Sequence, residues 1–206
     1  DAIRSRGLGD VYKRQVVSLY FVTNALSAFL LLFTILFYVF VYTIWLKRKT
    51  PQNIVIGGAS GALPPVIGWA IATNSISLES IAFFLIIFFW TPSHFWALSL
   101  YKADDYKKAG IPMLPVTNGI QDTKKNILIY SLLMIPTIVF PYYIGFVGEV
   151  FLTLSLLLTF YYNLICYQLY KYKVGKFNIK KAKHIFSYSI IYLFLVFVFF
   201  LVDKVL

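Results

Sequence analysis

In FFWTPSHFWALSLYKADDYKKAGIPMLP, residues 88–115, His94 lies inside an apolar run, and Asp104 and Asp105 stand just beyond its end. Ionisable groups in a membrane, or at its edge, are costly and mark a site by default. On a helix turning about 100° per residue, Trp90, His94, Tyr101 and Asp105 fall on one stripe. Lys108 joins that stripe if the helix runs on, and Asp104 lies one step round. Carboxylates beside lysines can hold a hard cation such as Mg²⁺, which in turn bridges phosphate oxygens. Lys47, Arg48 and Lys49 close another apolar run and can contact phosphates directly. Solvated loop charge is the bland account of the two aspartates; the stripe and the opposing basic cluster favour a cation-and-phosphate site.

His94 admits three readings: a hydrogen bond to a neighbouring helix, a proton carrier, or an axial ligand to haem iron. Trp90, Phe95 and Trp96 beside it suit a large flat ligand, and equally lipid or core packing. Cys166, the single cysteine, offers neither a disulfide nor a metal cluster and reads as a small buried hydrophobe.

The elements that carry these residues follow from composition and length. The chain is 60% hydrophobic, above the roughly half of a soluble domain, which makes it an integral membrane protein. Its 19 Lys and Arg against 8 Asp and Glu then suggest basic cytoplasmic loops rather than nucleic-acid binding. Crossing hydrocarbon takes about twenty apolar helical residues. Ala25–Leu46, Ile54–Thr73, Leu78–Leu100, Ile127–Phe146, Val150–Tyr170 and Ile185–Val202 qualify, and without strand-like alternation the expected fold is an all-α, polytopic helical bundle.

Lys47–Lys49, then Lys102, Lys107, Lys108, Lys124 and Lys125, then Lys171, Lys173, Lys176, Lys180, Lys181 and Lys183 make every second loop basic. Those loops are placed in the cytoplasm, and Asp203–Leu206 outside. Pro64-Pro65, in GGASGALPPVIGWA, must kink one span, and Thr91-Pro92 lies in the next. The two kinks shape a pocket, or the small residues serve close helix packing.

Asp1–Gln15 is polar, has no signal-peptide apolar region and abuts Val16–Thr23, which at about 12 Å of helical rise is too short to cross. One codon choice for DVYKRQ resembles a transposon end used in sequencing-library preparation. Residues 1–15 are therefore expected to be non-native or disordered, with 16–206 the membrane domain; a genuine basic tail is the alternative.

YVFVYTIWLKRKTPQNIVIGGASGALPPVIGWA followed by WTPSHFWALSLYKADDYKKAGIPMLPV closely resembles the protohaem IX farnesyltransferase (haem O synthase) family of the intramembrane, UbiA-type prenyltransferases. The resemblance runs from about Val16 to the C-terminus. Ser93 departs from a proline often found there. The family transfers farnesyl from farnesyl diphosphate to a vinyl group of haem B in the bacterial inner membrane and adds water, making haem O for haem-copper oxidases. Haem A synthase or oxidase-assembly proteins, and membrane lipid, are its implied partners. By this resemblance Asp104 and Asp105 are catalytic Mg²⁺ ligands, and Lys47, Arg48 and Lys108 clamp diphosphate. Asn53, Trp90, His94 and Tyr101 line the haem or isoprenoid pocket, at the cytoplasmic side.

The family's first acidic motif, after its second helix, has no counterpart here. Against the family's nine helices the chain keeps the last six and a remnant of the third, and is expected to be inactive alone. A quinone- or chlorophyll-type prenyltransferase, or a transporter with inverted repeats, remains as an alternative.

Overall fold

The computed structural model of the chain describes residues 2–172 and 179–206, in which six helical spans are long and apolar enough to cross a membrane. They are Ala25–Leu46, Asn53–Thr73, Leu78–Tyr101, Gly119–Tyr143, Glu149–Lys171 and Ile179–Val205. Among the described residues there is no strand. The six spans expected from hydropathy are all present, and the helices extend past the apolar stretch where it is flanked by lysines. Gly119–Tyr143, for example, begins well before Ile127 and carries Lys124 and Lys125. Lys173 and Lys176, part of the third basic loop, lie outside the described residues.

Two spans change character midway, for identifiable reasons. The first is an α-helix over Ala25–Leu36 (α2) that widens into a π-helix over Phe37–Leu46. Lys47 N–H donates to the Tyr42 carbonyl, five residues back. Aromatic and β-branched side chains crowd this segment and weaken ordinary α-helical spacing. π-Helical turns are rare and frequently sit at functional sites. The second span is two helices, Asn53–Ala62 (α3) and Pro64–Thr73 (α4), parted at Leu63 because neither Pro64 nor Pro65 can donate a backbone hydrogen bond.

Ala2–Val22 forms one helix (α1), so the stretch read as a helix remnant, Val16–Thr23, is continuous with the polar residues before it. Leu78–Tyr101 (α5) is the central element. It packs on α3 and α4 on one side and on Gly119–Tyr143 (α8) and Ile179–Val205 (α10) on the other. Glu149–Lys171 (α9) closes the second group against α8 and α10. Between α5 and α8 run two short helices, Ala103–Lys108 (α6) and Leu114–Thr117 (α7).

The core centres on Trp96, Met134, Tyr162, Cys166 and Tyr192, all buried, and Cys166 is the buried apolar filler expected of it. At the end of the bundle opposite the basic loops, the Asp203 carboxylate accepts from Gly148 N–H (2.7 Å) and Phe151 N–H (3.1 Å), capping α9 from another helix.

Candidate functional site

A cavity of about 560 Å³ opens among α1, the α2–π span, α3 and α5. Its wall is aromatic and apolar: Tyr38, Tyr42, Trp90 and Phe95, with Ile54 and Ile87, and Tyr12 at the rim. The π-helix sets Tyr38 and Tyr42 side by side, ring centroids 5.3 Å apart. Gly57 and Gly58 let α3 approach closely. A Cβ on Gly57 would fall 2.3 Å from the Tyr42 ring, and one on Gly58 would fall 3.0 Å from Thr91. The glycines therefore both pack the helices and line the cavity.

Thr91 Oγ1 donates to the Ile87 carbonyl (2.7 Å), at the point where Pro92 removes a backbone donor from α5. Of the four residues expected to line a substrate pocket, Trp90 lines this cavity, while Asn53, His94 and Tyr101 do not.

His94 faces the other way. It is buried between the rings of Trp90 (4.3 Å) and Phe186 (4.6 Å), and its Nδ1 lies 2.6 Å from Ser189 Oγ. Ser189 spends its single proton on the Phe186 carbonyl. With that bond made, Nδ1 donates to Ser189 Oγ and the lone pair is on Nε2. Trp90 Nε1 donates to the Ser189 carbonyl (2.8 Å), so α5 and α10 are joined twice at this level. Of the three readings of His94, the interhelical hydrogen bond is present. Its ring faces are covered and leave no room for a stacked macrocycle.

The stripe drawn from Trp90 to Lys108 on one continuous helix is broken. α5 ends at Tyr101, and Lys102 (φ −113°, ψ 17°) turns the chain before α6 begins. Asp104, Asp105 and Lys108 sit exposed on this separate helix of six residues. Asp105 accepts from Lys102 Nζ at 3.0 Å, a partner that the spacing argument missed. That bond and the carboxylate charge push the Lys102 ammonium pKa up. Tyr106 is half-buried beneath the pair; burial first, then Tyr101 and Asp105, push its phenol above its ordinary value.

What fixes α6 is the stretch that follows it. Gly110 takes φ +65°, Ile111 N–H donates to the Tyr106 carbonyl (3.0 Å) and Gly110 N–H to Lys107 (3.1 Å). This is the Schellman pattern, and it needs a left-handed residue where glycine stands. Met113 and Leu114 then plunge into the core between α5 and α8. The Gly-Ile-Pro-Met-Leu-Pro run therefore anchors the carboxylates.

On the loop between the π-helix and α3, Lys47 is half-buried and Arg48 exposed. Asn53, 1% exposed, donates to the Lys47 carbonyl (3.1 Å) and so braces that turn; among the described residues its Oδ1 is buried without a partner. Among the described residues no three His, Cys, Asp or Glu side chains cluster closely enough to hold a metal by themselves.

The profile of the UbiA prenyltransferase family matches residues 15–191. The chain belongs to this family. It is similar to the protoheme IX farnesyltransferase of Pelagibacter ubique (strain HTCC1062), at 74% identity over 191 residues, covering 93% of this chain and 63% of the relative. It is also similar to those of Parvibaculum lavamentivorans, at 48% over 93% of this chain and 60% of the relative, and Azorhizobium caulinodans, at 52% over 88% and 59%. The chain thus spans about 60% of the length of these curated relatives. A solved structure of a digeranylgeranylglyceryl phosphate synthase superposes with a TM-score of 0.77 at 16% identity, covering 97% of this chain and 68% of that one. The fold is therefore the UbiA prenyltransferase bundle, and the protein is an integral membrane protein.

Proposed function

We propose that this chain is part of an enzyme that transfers the farnesyl group of farnesyl diphosphate to a vinyl group of haem B, giving haem O. The observation that carries this reading is the 74% identity over 191 residues to a protein named protoheme IX farnesyltransferase. The geometry supports it: an aromatic-walled cavity of a size usual for small-ligand sites is bounded by α5, the helix that leads into the two carboxylates of α6.

Lys47, Arg48 and Lys108 are assigned to the diphosphate, with Asn53 holding the Lys47 turn in place. The isoprenoid lies in the cavity against Tyr38, Tyr42, Trp90 and Phe95. As the C1–O bond to diphosphate breaks, these ring faces stabilise the allylic cation, and exclusion of water prevents its premature capture. The terminal vinyl carbon forms the new C–C bond; water then adds to the adjacent carbon and loses a proton.

Asp104 and Asp105 fit Mg²⁺ as a site shared with substrate phosphates, which commonly takes one or two protein carboxylates, and do not fit an all-protein cage. Bound there, Mg²⁺ would supply neutralisation of the leaving diphosphate. The basic end of the bundle is assigned to the cytoplasmic face of the bacterial inner membrane and the C-terminus to the outside. Reporter fusions at Asn74 and after Asp203 are expected on the outer side; a cytoplasmic signal from either overturns this topology.

The activity test joins this chain to the remaining length of the Pelagibacter ubique relative, in cells without their own haem O synthase. Haem O detected by mass spectrometry is expected. A prenylated quinone precursor, with haem B unchanged, would overturn the assignment.

A further inference from the structure

Between α9 and α10, near their basic ends, lies a groove of about 250 Å³ whose lining includes none of the residues assigned above to farnesyl transfer. Neither α9 nor α10 lines the cavity described above, and Tyr162 and Tyr192 of these two helices are fully buried. Its polarity is graded along the helix axes. Lys180 and Lys181 stand at the start of α10, His184 one turn deeper, and Leu164, Ile165 and Ile185 line the apolar floor.

Tyr161 Oη lies 3.3 Å from His184 Nε2 and marks the inner limit. On α9 the lining runs from Tyr161 to Gln168, seven residues, so the groove is about 10 Å deep along the helix axes. That depth takes a phosphate headgroup and the first stretch of an acyl chain.

Charge in the groove is of one sign. Among the described residues no acidic one lines it. The acids of α9 and α10, Glu149 and Asp203, lie at the opposite end, where Asp203 is committed to capping α9. Lys181 Nζ sits 4.3 Å from the Tyr172 ring centroid, and Lys171 Nζ 4.8 Å from that of Tyr167, so aromatic faces hold cationic heads at this level. Tyr161 and Leu164 are exposed at the surface of a helix long and apolar enough to cross a membrane.

We propose that this groove binds an anionic phospholipid, with its phosphate at Lys180, Lys181 and His184 and its proximal acyl carbons against Leu164, Ile165 and Ile185. Basic pockets between transmembrane helices select such headgroups over neutral ones. The groove shares no lining residue with the cavity.

The test uses the 206-residue chain in nanodiscs of mixed phosphatidylglycerol and phosphatidylcholine, released for native mass spectrometry. Preferential retention of phosphatidylglycerol is expected. The combined Lys180→Gln, Lys181→Gln and His184→Gln variant is expected to reduce it about tenfold or more. Leu164→Trp, which fills the apolar floor and leaves every charge in place, is expected to reduce it comparably. A matched variant at the same end, Lys107→Gln with Lys125→Gln, is expected to retain it.

Retention equal to the parent chain in Leu164→Trp or in the triple variant overturns the proposal, as does equal loss in the matched variant. Displacement by excess inorganic phosphate also overturns it, since that would make the groove a free-anion site. Leu164→Trp decides the matter even if the triple variant fails to fold.

Discussion

α5 shows two unlike sides. Toward α8, α9 and α10 it is packed solid, and four polar pairs are made across helix boundaries on that side: Ser93 with Tyr162, His94 with Ser189, and on the neighbouring helices Thr159 with Tyr192 and Ser131 with Asn163. Toward the α2–π span and α3 it is hollow, with glycines and aromatic rings around an open volume. In a bilayer there is no hydrophobic force to draw helices together, so close packing and interhelical hydrogen bonds must do it. The packed side has both. The hollow side has close approach only at Gly57 and Gly58, and the space left over is where a ligand can contribute.

The contrast predicts that substitutions on the packed side act on stability and those on the hollow side, or at its mouth, act on turnover. The largest effect is expected from Trp96→Ala, which empties a fully buried site next to α8 and should cost about 3–5 kcal/mol of stability. Unfolding in sodium dodecyl sulfate measures it, and an unchanged transition would break the comparison.

Next is Asp105→Asn in the protein completed to the length of its relatives, expected to lower the rate about 100-fold or more. Asp104→Asn is expected to be similar or weaker. Because both carboxylates are exposed, the unfolding transition should stay in place; parent-like turnover in both variants would remove α6 from the site.

The smallest is Gly57→Ala. The added methyl must displace the Tyr42 ring into the cavity, for an expected loss of roughly tenfold in rate, the scale of a misplaced substrate contact, with little change in stability. A stability loss larger than the rate loss would make this glycine a packing residue alone.

The motifs that carry the family were readable in the sequence, but their division of labour was not. The carboxylate pair and the basic Lys47–Lys49 turn announced themselves by chemistry. Lys102 was legible only as one basic-loop lysine, because its pairing with Asp105 depends on a turn that no apolar spacing signals. Tyr38 and Tyr42 escaped because tyrosines in an apolar span look like any membrane aromatic; their spacing on the run leading to Lys47 was the available hint. The Gly-Ile-Pro-Met-Leu-Pro run was visible as a motif, while its task of anchoring α6 became apparent only from the Schellman turn and the buried Met113 and Leu114.

By itself the sequence determined the number of spans, their approximate ends, the alternation of basic and non-basic loops and the break at Pro64-Pro65. These depend on length, hydropathy and covalent geometry, which are local. Only the tertiary structure decided which side of α5 is hollow, that His94 turns to Ser189 instead of the cavity, and that the chain bends at Lys102. In a membrane span, the lipid-facing and protein-facing surfaces are both apolar, so the amphipathic signal that orients a helix in water is missing. Helical periodicity places two residues on one face, but which neighbour covers that face is settled by the packing of the other helices.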